Sequence, residues 1–565
     1  MSGNSFNTVR YGRFLIFIAG LGGLLYGIDV GIIATALLYL GETIHLSVEQ
    51  TSIVVAAVLG GGTFSSLVAG VLADWLGRKK MMIISGLLFV ASVALIVSSH
   101  GFIPLFLGRL LQGVSGGFIA VVVPLYLAEC LGAQIRGRGT AIFQFMLTFG
   151  IVIAALTGTY FAQQAEAAIR AAAGNATLIR AAQDHAWRAI FLSVIYPGLL
   201  FFLGSFFLSE TPRWLFRKGK ADAALNALRR VVPEQQAQLQ MREMEALASE
   251  NREKISSGEQ GSLLKRKYVI PFVLACIILS LNQTTGINSV LPFLVVILKQ
   301  AGMSVTHATQ GDVAVKVLNC VMTLVAIAFV DKKGRKFLLR IGTGGIVVAL
   351  FTGAFLFYRF ESGRIDVQDK VRSAIHSNAL SLPVDQILGP VVDGHVTALT
   401  VVYSAGAGDM VATVRNDEKN ATLEVASTGN SPLVIKQATY GPVPTENTGW
   451  LIAACLGLFI ASYAFGPGVV VWLMLSELMP TRIRSVGMGV ALLLNQGVST
   501  LIAAVFLPVV GHYGYYAMFS FWAICTAAYF FTATFFVPET KGKTLEEIEA
   551  YFDKGAPAGQ LAQGS

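Results

Sequence analysis

The sequence predicts an all-α membrane protein of twelve transmembrane helices in two six-helix halves, with a small β-rich extracytoplasmic insertion. Three observations predict it. The chain is 54% hydrophobic and only 13% charged, against roughly 25% charged residues in soluble domains, and the charges fall in blocks between apolar runs of bilayer length. A charged motif occurs twice, as Asp74-Trp-Leu-Gly-Arg78-Lys79-Lys80 and as Asp331-Lys-Lys-Gly-Arg335-Lys336, at matching places in the two halves. Lys and Arg gather in alternate loops, the asymmetry that orients membrane helices. A duplicated bundle with equivalent basic loops points to a transporter, not a membrane-anchored enzyme.

The N-terminus is polar (Asn4, Asn7, Arg10, Arg13) and enters the first span at Phe14. No small-residue cleavage site follows a short apolar core, so this span reads as a retained helix and not a signal peptide. The N-terminal bundle, residues 1–208, holds spans at about 14–38, 51–73, 81–99, 102–128, 139–162 and 187–208. Residues 209–268 are polar and helix-prone, with Ala/Leu/Arg/Glu patterning, and read as a cytoplasmic helical linker. Helices seven to nine occupy 269–358, at about 269–299, 313–330 and 337–358. Helices ten to twelve occupy 449–540, at about 449–476, 485–510 and 514–537, before a tail at 541–565.

The basic loops are 74–80, 136–138, 210–268, 331–340, 482–484 and 541–543. By the positive-inside rule both termini and the linker face the cytoplasm of a multi-pass cell (inner) membrane protein. These loops also account for the net charge of +9 without any nucleic-acid partner. The insertion at 359–448 lies outside by span parity. It has no bilayer-length apolar run, and His395–Tyr403, Met410–Arg415 and Leu423–Val425 alternate as strands do, punctuated by Gly, Asn, Asp and Ser. The expectation for it is a lid or a docking module for an extracytoplasmic partner. An Ala-rich stretch from about Gln163 to His185 is a second outside elaboration, read as helical. The five cysteines form no CxxC pair and read as small packing residues. No nucleophile–base set, metal cluster or phosphate-cradling loop is present, so no enzyme activity and no cofactor are expected.

Several short motifs bear on the kind of transporter. They are Gly22-Gly-Leu-Leu-Tyr-Gly-Ile-Asp29, Gly108-Arg109, Pro124-Leu-Tyr-Leu-Ala-Glu129 and Arg136-Gly137 in the first half. Ser209-Glu-Thr-Pro-Arg213-Trp-Leu, Asn282-Gln-Thr-Thr-Gly-Ile-Asn288, Trp472-Leu-Met-Leu-Ser-Glu477 and Pro538-Glu-Thr-Lys-Gly542 follow. In this order and spacing the chain resembles the sugar porters of the major facilitator superfamily, which include bacterial xylose– and galactose–proton symporters and facilitative glucose transporters. The resemblance covers nearly all spans and omits the insertion. It implies the major facilitator fold, transport by alternating access, and a monosaccharide (hexose or pentose) imported with a proton.

The candidate site residues follow. Asp74, Arg78, Glu129 and Arg136, extended by Glu210 and Arg213, are placed to pair at the cytoplasmic helix ends of the first half. Asp331, Arg335, Glu477 and Arg484 repeat them in the second, and the resemblance implies that such clusters act as gates. Asp29 and Arg109 fall inside apolar spans, where an ionisable side chain costs roughly 2.5–3.5 kcal/mol by insertion scales and function is the default reading. The proton affinity of a buried carboxylate depends on its distance from a guanidinium, so a moving Arg109 would couple proton binding at Asp29 to reorientation. A sugar needs neutral donors and acceptors and an aromatic face. Gln144, Asn282, Gln283, Asn288, Asn319, Asn495 and Gln496 are intramembrane amides, and Trp472 is the aromatic wall. Each matches a sugar-contacting position of the resembling family or its neighbour.

The chain departs from the family pattern at Leu291-Pro292-Phe293, at Val469 and Val471 after Gly466-Pro467-Gly468, and at Gln496. These departures leave pentose, hexose and polyol open. A facilitative sugar or polyol uniporter is the alternative, and a non-transporting sugar sensor a more distant one.

Overall fold

The computed structural model describes the 565-residue chain except residues 1, 45, 132, 257–265, 377–378, 384–395, 405–408, 417–421, 427–431, 481–482, 544–546, 549–550 and 553–565. Among the described residues, twelve helices are long and apolar enough to cross a membrane. In order they are Arg10–Gly41, Val48–Leu76, Arg78–Val97, Phe102–Cys130, Ile142–Ala171 and Ala176–Phe206, then Arg266–Gln300, Val305–Val330, Arg335–Glu361, Glu446–Leu475, Gly487–Tyr513 and Tyr515–Phe535. Length and apolarity explain them: in hydrocarbon each backbone polar group must find its partner within the helix. The all-α membrane architecture with a small sheet insertion is the one the sequence predicts.

An even number of crossings returns the chain to the face where it began, here called the terminal face. The linker follows span six and sits on that face. The insertion follows span nine and sits on the opposite face. The first half packs its second span on its fourth and its first on its fifth; the second half packs its ninth span on its twelfth. Small residues permit the closest of these approaches. A Cβ added to Gly113 would lie 2.7 Å from the Val58 carbonyl carbon, and one added to Gly61 would lie 2.9 Å from Val114 N.

Three spans are interrupted where the sequence suggests continuous helices. The seventh breaks between Thr284 and Ile287, with Gly286 at φ 86°, a left-handed conformation that glycine adopts without strain. The Trp522 indole packs on Gly286 so closely that any side chain there would collide with it. The tenth breaks at Gly466, between Glu446–Phe465 and Pro467–Leu478. The sixth is split at Val194 into Ala176–Ser193 and Ile195–Phe206. The Ala-rich elaboration is helical: it extends spans five and six beyond the bundle, with the Asn175 side chain capping Thr177 N and Leu178 N.

The linker forms helices Pro212–Arg217, Ala221–Arg229 and Glu234–Ser256, around a small core of Ala224, Leu228, Val232, Ala237 and Met241. In the insertion β1 (Ile365–Asp366), β7 (Val434–Pro442), β4 (Thr397–Ser404) and β5 (Asp409–Arg415) form an antiparallel sheet in that order. A second sheet joins β2 (Ile375–His376), β3 (Ala379–Pro383) and β6 (Thr422–Ala426). Leu399, Val401, Leu380, Leu382, Leu423 and Ile435 fill the core between them. The alternating segments read from the sequence fall on β4, β5 and β6; β3 also alternates, with Leu380 and Leu382 buried and Ser381 exposed, while β7 alternates less regularly.

Candidate functional site

Asp29 on the first span and Arg109 on the fourth meet inside the first bundle, with Arg109 Nη1 3.2 Å from Asp29 Oδ1 and both residues 1% exposed. Arg109 Nη1 also donates to Gln112 Oε1 at 2.7 Å, and its guanidinium carbon lies 5.7 Å over the Phe191 ring. Asp29 Oδ2 lies 3.5 Å from where a Cβ on Gly116 would sit and has no hydrogen-bond partner among the described residues. One oxygen of the carboxylate is therefore held by Arg109 while the other is left unpaired. Tyr26, nearly one turn before Asp29, lies beside Gln496 of the eleventh span. The helix that bears the carboxylate thus reaches one of the second half's amides.

Those amides form a relay around the break in span seven. Gln283 Nε2 donates to Asn495 Oδ1 at 3.1 Å, and Asn495 Nδ2 donates to the Leu279 carbonyl at 2.9 Å. Across the break Asn288 Nδ2 donates to Gln283 Oε1 at 2.9 Å and to Ser499 Oγ at 2.8 Å. Asn282 Nδ2 donates to the Tyr463 hydroxyl at 3.2 Å, and its Oδ1 is buried with no partner among the described residues. The interruption at Gly286 is what lets residues 282, 283 and 288 converge on spans ten and eleven. Asn319 is buried on the eighth span beside Cys320, whose Sγ accepts from Thr148 at 3.6 Å. Gln144 is half-buried on the fifth span. Trp472 is 41% exposed, and among the described residues no hydrogen bond or ring contact ties it to the amide relay.

The charged clusters lie at the terminal face. Arg78 Nη2 is 2.8 Å from both Asp74 Oδ1 and Glu129 Oε1, and the Arg78 side chain is 2% exposed. Thr211 Oγ1 donates to Glu129 Oε2 at 2.6 Å. Glu210 accepts backbone N–H bonds from Arg78 (3.0 Å), Lys79 (3.2 Å) and Thr211 (2.9 Å), capping the third span. Burial raises the Glu210 pKa above the usual carboxylate range, against those N–H bonds and the Arg78 charge. In the second half Arg335 Nη2 is 3.0 Å from Glu477 Oε1, and Thr540 Oγ1 donates to Glu477 Oε2 at 2.5 Å. Glu539 accepts from Arg335 N (3.0 Å) and Lys336 N (3.1 Å), as Glu210 does in the first half. Each described pair stays within its own half. The side chains of Arg136, Asp331 and Arg484 lie outside the described residues, and Arg213 is exposed at the start of a linker helix.

Sequence reasoning missed several members of this set. Arg217, which the sequence did not single out, contacts Asp74 at 3.4 Å and Glu129 at 3.2 Å. Glu539 and Thr540 mirror Glu210 and Thr211, and the shared Glu-Thr string after helices six and twelve was the available signal. Tyr463, Ser499 and Gln112 carry no pattern that marks them before the helices are packed.

Hydrogen bonds joining the two halves among the described residues run from mid-membrane to the opposite face. Thr63 and Thr500 share one at 3.4 Å, Leu507 N donates to Ser52 Oγ at 3.2 Å, and Thr159 Oγ1 donates to the Thr309 carbonyl at 3.4 Å. The first span packs on Ile287–Gln300, the fifth on the eighth and the second on the eleventh. The halves are thus clasped on the side away from the termini.

The family profile described as "Sugar (and other) transporter" matches residues 15–374 and 432–552, leaving out most of the sheet insertion. The chain belongs to this family. It is 27% identical over 551 residues to the "Glucose transporter GlcP" of Staphylococcus epidermidis, covering 96% of this chain and 97% of that one. It is 25% identical over 550 residues to the "Galactose-proton symporter" of Escherichia coli, covering 96% and 94%. Among solved structures, the partially occluded inward open conformation of the xylose transporter XylE from E. coli superposes with a TM-score of 0.66 at 20% identity, over 94% of this chain and all of that one. The fold is therefore the major facilitator fold, and the chain is a multi-pass membrane transporter and not an enzyme.

Proposed function

We propose that this protein imports a monosaccharide, or a closely related polyol, together with a proton by alternating access. The observation that carries the reading is the Asp29–Arg109 pair, fully buried in apolar spans with one carboxylate oxygen unpartnered. A static structural bridge would be best served by satisfying both oxygens. A carboxylate that must gain and lose a proton is better served by keeping one open. The amide relay of Gln283, Asn288 and Asn495, with Asn282 Oδ1 left over, supplies the neutral donors and acceptors that sugar hydroxyls require. The names of the glucose and galactose–proton relatives support the same class of cargo and ion.

In this reading Gln144, Asn282, Gln283, Asn288, Asn319, Trp472, Asn495 and Gln496 bind the sugar. The Arg78 and Arg335 clusters close the terminal face, which is cytoplasmic by its basic loops. The clusters face within their own halves here because the halves are clasped on the other side. In this reading Arg136 and Arg484 belong to these gates, one in each half.

The test is sugar-driven proton uptake in proteoliposomes, with pentoses, hexoses and inositol screened in turn. A proton flux with one sugar, lost in Asp29→Asn while sugar exchange persists, is the expected result. Sugar entry with no proton flux in the unmodified protein would make it a uniporter and reduce Asp29 to a structural group.

A further inference from the structure

A second ion pair lies inside the membrane region, and the proposed proton and sugar sites do not use it. Lys316 Nζ donates to Asp312 Oδ2 at 2.7 Å on the eighth span, and both side chains are 0% exposed. Ionisable groups at such depth are costly, and those retained face the bundle interior and mark function. Pairing four residues apart on one helix neutralises the charge, and a bland reading would stop there. It leaves two observations unexplained. Lys316 Nζ also donates across the molecule to the Gly31 carbonyl of the first span at 3.2 Å. Asp312 Oδ1 is buried with no partner among the described residues.

The position of the pair gives these observations a use. Gly31 lies two residues past Asp29, and a Cβ there would sit 2.8 Å from the Ala154 Cβ, so only glycine lets spans one and five meet at this level. Asn319 follows Lys316 on the same face of span eight, about 4.5 Å further toward the terminal face at 1.5 Å rise per residue. The Lys316–Gly31 bond therefore stands between the candidate sugar site and the opposite face. We propose that Lys316, held by Asp312, is the latch that closes the sugar site toward the opposite face through its bond to the Gly31 carbonyl.

An ammonium group suits this task because it has three donors and no acceptor. One donor keeps Asp312 and another reaches Gly31. When the halves part, Asp312 keeps Lys316 neutralised, so the second half carries away a balanced pair and not a bare charge. The freed Lys316 N–H and Asp312 Oδ1 then face the opened cleft, where water satisfies both. The bond can therefore break and re-form in each cycle. The proposal rests on alternating access, but its test needs neither sugar nor proton.

Spin labels at Gln163→Cys and Gln310→Cys report the separation of spans five and eight at the opposite face, where both residues are exposed. The measurement is made by double electron–electron resonance in lipid nanodiscs, with the five native cysteines replaced. Lys316 as found, and Lys316→Arg, which keeps the donors, should hold the short distance. Lys316→Met should raise the long-distance population about tenfold or more, the effect of losing a charged hydrogen bond that one state makes and the other does not. Asp312→Asn/Lys316→Met removes both charges, so it leaves no unpaired carboxylate to prevent folding, and it should open equally. A folded double variant with the original distance distribution would overturn the proposal and leave a static intrahelical bridge. A protein that opens as expected yet moves no protons with sugar would refute the symport reading and leave the latch standing.

Discussion

Gly334→Ala tests whether the short connection between spans eight and nine is built around one carboxylate. Gly334 has φ 91° and ψ 161°, a conformation populated almost only by glycine. An alanine there carries strain of about 1–3 kcal/mol. Its Cβ would also lie 2.8 Å from the Glu539 carboxyl carbon and push that group off Arg335 N and Lys336 N. Losing a cap of this kind costs about 0.5–2 kcal/mol, so the expected destabilisation is about 3 kcal/mol. Equilibrium unfolding in mixed micelles with a denaturing detergent measures it. Glu539→Ala alone should cost about 1 kcal/mol, and the double variant should fall short of the sum by a similar amount, because the collision is then gone. Gly77→Ala should behave alike, since Gly77 has φ 98° and its Cβ would lie 3.0 Å from the Glu210 carboxyl carbon. A loss under about 0.5 kcal/mol for Gly334→Ala would refute the reasoning, because the strain alone exceeds that figure.

The remaining predictions concern the first cluster and the relay. Glu129→Gln leaves Arg78, 2% exposed, without its buried partner and should cost about 3–5 kcal/mol, whereas Arg217→Gln, on a half-exposed side chain, should cost under about 1 kcal/mol; equal losses in an unfolding titration would contradict the assigned burial. Because burial raises the Glu210 pKa, its contribution to stability is full below the ordinary glutamate value and declines as pH rises through the raised one. The stability of Glu210→Gln relative to the unmodified protein should therefore improve from acid toward neutral pH, and the opposite trend would show that the N–H bonds outweigh desolvation. Gln283→Leu removes the bonds to Asn495 and Asn288 together and should weaken binding of the transported sugar about tenfold or more by equilibrium dialysis.

The sequence made the bundle legible because hydrocarbon enforces one backbone solution, and twelve apolar runs leave little choice. The charged motifs were legible for a related reason: Asp74, Arg78 and Arg335 stand out against apolar neighbours. What stayed hidden depends on packing between distant spans. The break at Gly286 is favoured by the Trp522 indole lying against it, and Trp522 follows more than two hundred residues later. Asp312 and Lys316 fall at the start of span eight as read from the sequence, where charges read as a helix end; the structure begins that span at Val305 and buries both, with Lys316 bonded to the Gly31 carbonyl. Arg217 stayed hidden because only the turn from span six into the linker helix brings it to Asp74 and Glu129.

The two halves are alike where they are charged and unlike where they are polar. Gly77 with Glu210 and Gly334 with Glu539 build the same cap twice, so the terminal-face ends of the halves are equivalent parts. The middle is different. The first half holds its ionisable pair on spans one and four, which run unbroken, while the second half gathers its amides around breaks in spans seven and ten. A continuous helix moves Asp29 as part of a rigid body. A broken one lets Asn288 and the segment Ile287–Gln300 shift relative to Gln283 without moving the whole span. The first span packs on that segment, and Lys316 binds the first span at Gly31. The helix that carries Asp29 is therefore joined to the segment that carries Asn288 and to Lys316 through its own contacts with the second half.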